Sequence, residues 1–147
     1  MSTDPSIEQQ DVRSTDTDWF LQSLVSMVNN SSMEFGITLL VDGMLVSGNL
    51  VGGKAYFEGF GADFATPFKD PEVVKQLKDS FGSYGEIYDA NPDDDKEPPP
   101  PTFIHLKETR FFTPSGTPIP ANKGVWWRGR ISAIGGFNLG HLRPEEA

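Results

Sequence analysis

Few side chains in this sequence are of a kind and spacing that could do chemistry. There are two histidines, His105 and His141, and no cysteine, which removes thiolate nucleophiles, thiolate metal sites and disulfides. No HxxxH-type spacing ties either histidine to carboxylates, so no zinc site is expected. His105 falls in a strand-like stretch, where it is read as facing solvent or a polar neighbour and as able to titrate near neutrality. Asp93, Asp94 and Asp95 are consecutive, whereas calcium loops alternate ligands with spacers around a turn glycine, so they read as a solvated charge run. Patterns of the GxSxG, Walker and GxGxxG kind are absent. No enzyme, catalytic residue, metal or cofactor is predicted; an enzyme would need a deep pocket combining His105 with a carboxylate.

Binding is the better-supported chemistry. Trp126, Trp127, Arg128, Gly129 and Arg130 form an aromatic, arginine-bearing run. Alternation along a strand puts the two indoles on opposite faces, so one serves the core and the other is free to meet a partner. If helices cover both faces, both rings are structural instead. An exposed aromatic beside arginine is the usual makeup of a binding hot spot, with indole–guanidinium stacking adding about 0.5–2 kcal/mol. Phe111 and Phe112 pose the same alternatives. Trp126, Trp127, Arg128, Arg130, Phe111 and Phe112 are therefore the candidate self-association residues, and the unpaired edge beside the Trp126 strand is the place for strand-to-strand assembly.

Local elements must hold that run. From Asp18 onward Trp19, Phe20, Leu24, Met27 and Val28 recur at helical spacing, with Asp16 or Thr17 to cap and Asn29-Asn30 to end the helix. Phe35, Ile37, Leu39 and Val41 then alternate with Gly36, Thr38, Leu40 and Asp42, and Asp42-Gly43 supplies the positive φ angles of a two-residue hairpin turn. Met44 to Val51 is the return strand, where Gly48 marks a bulge or a bend at which a sheet curls. Tyr56, Phe57, Phe60 and Phe64 sit at helical offsets. Asp70-Pro71 opens another helix, with Val73, Val74, Leu77 and Phe81 on one side and Gly82 as its stop. Phe103 to Thr113 and Val125 to Ile134 read as strands separated by a Pro- and Gly-rich loop, and a Gly135-Gly136 turn leads to a short strand Phe137 to Leu139.

The expected architecture is α+β: a small Sm- or SH3-like β-barrel of about five strands, with an N-terminal helix and a helical insertion between the strand halves. The 147 residues suffice for one domain burying roughly 70 % of its unfolded surface. That domain is placed at 17–142, with the insertion at 53–88 and an acidic proline-rich loop at 89–102. Asp89 to Pro101 holds four Asp, one Glu and five Pro, a composition poor at joining a sheet. Residues 1–16 and 143–147 are read as polar tails, the first disordered, with neither signal peptide nor membrane anchor. A cytoplasmic location is the default. The net charge of -9, from 21 acidic and 12 basic residues, repels phosphate backbones.

Two families are resembled. Leu40, Asp42, Gly43, Val46, Gly48 and Leu50, with Arg128, Gly129 and Ile131, resemble the two halves of the Sm and Sm-like barrel over about a third of the chain. That resemblance implies ring oligomers joined through strand edges, and RNA binding as an alternative function. After Gly48-Asn49-Leu50, however, the family has an Asp and a base-holding Asn where this chain has Lys54 and Glu58. Only Arg128-Gly129 carries over, so RNA is not the expected partner.

The second resemblance runs from about Phe35 to Leu142, to the gas vesicle accessory protein GvpU family. It is carried by Gly36 to Gly48, Lys54-Ala55-Tyr56-Phe57, Phe103 to Thr109, Trp127 to Ile131 and Gly136-Phe137-Asn138-Leu139-Gly140. It implies a cytoplasmic, non-enzymatic accessory acting on vesicle assembly or clustering. Its partners would be itself, as a homo-oligomer, and vesicle shell or other accessory proteins.

Overall fold

The computed structural model describes residues 17–89, 97–121 and 123–142. Both expected tails and residues 90–96 of the acidic loop lie outside these residues. Helix α1 (Trp19–Asn29) starts where the Asp18 carboxylate, rather than Asp16 or Thr17, accepts the Phe20 amide at 2.8 Å. Its Leu21, Val25 and Val28 stripe is buried. Strands β1 (Phe35–Val41) and β2 (Met44–Val51) form the expected hairpin, with φ of 50° at Asp42 and 81° at Gly43. Helices α2 (Gly53–Ala65) and α3 (Pro71–Tyr84) and a 3-10 turn (Gly85–Tyr88) make up the insertion. Asp70 caps α3 as expected, but the helix runs through Gly82 and ends before Gly85.

Strands β3 (Phe103–Phe112), β4 (Pro118–Ile119) and β5 (Val125–Arg130), a 3-10 turn (Ile131–Ala133) and β6 (Gly136–Leu139) follow. The small β4 pairs with Phe111 and Phe112. It lies in the stretch expected to be plain loop and raises the strand number to six.

Every pairing is antiparallel, with β2 on one side of β3 and both β4 and β5 on the other, while β1 lies between β2 and β6. The sheet is open, so the closed barrel expected from sequence does not form. A flat sheet would hold β5 and β6 about 19 Å apart, a span that a short connection shortened by a 3-10 turn barely reaches. The sheet therefore curls. β5 and β6 do not pair with each other, and the connection between them is anchored to the sheet at both ends. Ile131 is 1 % exposed within the core cluster, its amide donates to the Thr102 carbonyl at 2.9 Å, and the Gly135 amide donates to Leu40 at 2.8 Å. That cluster, formed with Ile37, Leu39, Val46, Leu50, Ile104 and Leu106, lies under α1.

The register against β3 does shift at Gly48, but the extra residue belongs to β3: Ser47 pairs with Arg110 and Asn49 with Lys107, so Gly48 faces both Glu108 and Thr109, and Glu108 has a φ of 53°. A Cβ on Gly48 would lie 2.8 Å from the Lys107 carbonyl oxygen and 3.2 Å from Thr109 Cα, and neither backbone can yield without disturbing the ladder. Gly48→Ala is expected to cost about 1–3 kcal/mol, read as a lower urea midpoint at unchanged slope.

Candidate functional site

Alternation along β5 does set the two indoles on opposite faces, and both faces are covered. Trp127 packs against the core cluster on the α1 side. Trp126 turns toward α2, edge-on to Tyr56 at 6.0 Å and so close to Gly59 that a Cβ there would meet the ring at 2.0 Å. Phe112 is 6 % exposed, and Phe111 packs on the core. Phe112 is thus buried and enclosed by the domain, while Trp126, Trp127 and Phe111 are half-buried, each ring lying against other side chains of the domain. Outward from β5 stand Val125, Arg128 and Arg130.

His105 is 0 % exposed and meets the second of the expected alternatives, a polar neighbour, Arg128; what departs from expectation is its titration. Its ring lies 4.7 Å from Tyr56, 5.9 Å from Phe57 and 5.8 Å from Tyr88, all supplied by the insertion. Nε2 accepts a hydrogen bond from Arg128 Nε at 3.2 Å, and Nδ1 has no partner among the described residues. Burial first, and the Arg128 charge second, push its pKa down from 6.5 to about 3. The imidazole is therefore neutral and does not titrate near neutrality.

Arg128 is held as firmly as the ring it contacts. Its guanidinium carbon lies 3.6 Å over the Phe103 centroid and 5.7 Å from that of Phe57, within the range of cation–π attraction. No carboxylate among the described residues pairs with Arg128 or Arg130, although Lys54 is paired with Asp89 and Lys107 with Glu34. Behind this edge an aromatic array runs along the insertion, with Phe60 to Phe64 at 6.2 Å and Phe64 to Phe68 at 6.3 Å. Phe81 on α3 lies 5.3 Å from Phe60 and 4.9 Å from Phe64. These spacings are those of favourable ring pairs.

The opposite edge, β6, has no charged side chain. Phe137 contacts Phe20 at 5.8 Å, and Phe20 contacts Trp19 at 5.9 Å. Leu139 is 68 % exposed, and Trp19 and Phe20 are 51 % exposed each. Past β6 the chain crosses the second face of the hairpin as a strap. The Leu142 amide donates to Ser47 Oγ at 2.7 Å, the Ser47 and Thr38 hydroxyls meet at 2.9 Å, and Thr38 donates to the Gly140 carbonyl at 2.7 Å.

Among the described residues no group of three or more His, Asp or Glu could hold a metal ion, and no helix is long and apolar enough to cross a membrane. An open cleft between Val28, Lys54, Glu58, Tyr88 and Asp89 does not include His105. Fold and site thus define an α+β module that presents its outward groups along sheet edges. A family model described as gas vesicle protein GvpU-like matches residues 18–142, and the chain belongs to that family. Comparison with curated proteins and with solved structures found no match.

The buried imidazole links stability to pH. Above 6.5 both the folded and the unfolded chain carry it neutral; below 6.5 the unfolded chain takes up a proton that the folded chain, with its pKa near 3, refuses. Stability should therefore fall as pH drops, by about 2 kcal/mol between pH 8 and pH 5 from this group alone. His105→Gln should flatten that part of the profile in urea titrations. A slope identical to that of the parent would show that His105 is not the cause.

Proposed function

We propose that this protein is a non-enzymatic, cytoplasmic gas vesicle accessory that self-associates and binds vesicle shell or other accessory proteins, aiding vesicle assembly or clustering. Support comes from one observation, two open sheet edges of unlike chemistry on a small acidic domain. With a net charge of -9, copies repel one another over most of their surface. The β6 edge is the exception, being uncharged and flanked by the exposed Trp19, Phe20 and Leu139. Antiparallel addition of one β6 to another satisfies the free backbone groups and closes a two-fold dimer.

The β5 edge, where the sequence placed self-association, is less suited to a second copy of itself. A symmetric pairing would bring the arginines of two copies together, and like charges across a strand pair are unfavourable. That edge is left for a shell or accessory protein, with Trp126, Trp127, Phe111 and Phe112 fixing the strands behind it. Exposed Phe64 and Phe68 on the insertion add weak contacts that multivalency strengthens.

Leu139→Lys, with or without Phe20→Ser, is expected to lower the mass measured by light scattering to that of the 16.2 kDa monomer. For Leu139→Lys alone the unfolding free energy should move by no more than about 0.5 kcal/mol, as for surface substitutions; Phe20→Ser also gives up its ring contacts with Trp19 and Phe137 and should cost about 1 kcal/mol. An unchanged mass with both substitutions present would reject β6 as the self-association edge.

A further inference from the structure

We propose that the β5 edge takes up an extended, carboxylate-bearing segment as an added strand, whose alternate acidic side chains engage Arg128 and Arg130. This rests on the reading above that β5 is the partner edge, and it names the chemistry of the partner.

Backbone geometry provides the first support. Among the described residues the strand along 125–130 is paired to β3 alone, with Arg128 opposite His105 and Arg130 opposite Phe103, so no described strand occupies its outer amides and carbonyls. An incoming segment gains main-chain hydrogen bonds along such an edge and is selected by its alternate side chains. Arg128 and Arg130 are two residues apart on one face, a separation of about 7 Å, the same as between alternate side chains of an extended peptide.

Charge and preorganisation provide the second. Both arginines lack a carboxylate among the described residues, in a chain whose acidic residues outnumber its basic ones 21 to 12. Arg128 is already fixed, stacked on Phe103 with Nε spent on His105. Its terminal nitrogens keep their N–H donors in a planar fork, the geometry that carboxylates accept in a bidentate manner. The ordering entropy that usually weakens an exposed ion pair is thereby reduced. Val125, 43 % exposed at the start of the strand, offers an apolar contact to residues between the acids. A basic or neutral strand would meet unpaired arginines, and a second β5 would meet its own charge.

The probe is a fluorescein-labelled peptide, acetyl-Thr-Glu-Val-Glu-Val-Glu-Thr-amide, titrated with the full chain and followed by fluorescence anisotropy. Saturable binding is expected at about 50 mM salt and should weaken steeply toward about 500 mM. Replacing the glutamates by glutamine, or using Arg130→Gln protein, should weaken it by about tenfold, a 1.4 kcal/mol change. Arg130→Gln leaves the Phe103 and His105 contacts of Arg128 in place, so it tests the edge without disturbing the fold. N-methylation of alternate peptide amides, which blocks strand addition and keeps the charge, should abolish binding.

Equal affinity for the glutamine peptide, for Arg130→Gln, or for the N-methylated peptide would each overturn the proposal, as would absence of binding. Self-association is read separately by the mass of the Leu139→Lys variant. Failed peptide binding with an intact mass response removes this inference alone, and an unresponsive mass with intact peptide binding removes only the dimer.

Discussion

Burial of the central strand on both faces is the constraint from which the remaining structure follows. Ile104, His105 and Leu106 are consecutive in β3 and each is 0 % exposed, which requires a covering layer on each side of the sheet. The two layers are chemically different. On one side α1 brings Leu21, Val25 and Val28 to an aliphatic core. On the other, α2 brings Tyr56 and Phe57 against an imidazole, a group that stays inside only while it is uncharged. Arg128 completes that layer from the neighbouring strand, satisfying one imidazole nitrogen and capping Phe103.

Once both faces are occupied, a small sheet has only its margins to offer. The margins differ because the elements behind them differ. Beside β5 the aromatic layer holds arginines against phenyl rings, and beside β6 the beginning of α1 leaves indole and phenyl groups at the surface.

Features decided by neighbours in sequence could be read in advance. The Asp42-Gly43 turn, the α2 and α3 periodicities and the Asp70 cap are each set by a few adjacent residues, whereas Gly48 marks the register shift but the extra residue lies across from it in β3. Openness of the sheet was not legible, since it depends on where the chain after β5 settles, and Ile131 decides that by packing under α1. The opposite orientation of Trp126 and Trp127 follows from alternation alone, but their cover comes from elements far away in sequence. The dryness of His105 has the same origin: a polar residue in a strand meets water or a polar neighbour, here Arg128, and only the distant Tyr56, Phe57 and Tyr88 exclude water from it. The Thr38–Ser47 contact was within reach, because the hairpin register places those hydroxyls opposite each other.

That pair of hydroxyls gives the strap a particular character. Leu142, Ser47, Thr38 and Gly140 form a loop of donors and acceptors, and water can replace each link at little cost. Peeling the strap away would wet a row of polar side chains while leaving the aliphatic interior untouched. The segment is thus fastened to the hairpin chiefly through hydroxyl, amide and imidazole groups, His141 adding a contact to Asn49, rather than through the aliphatic core.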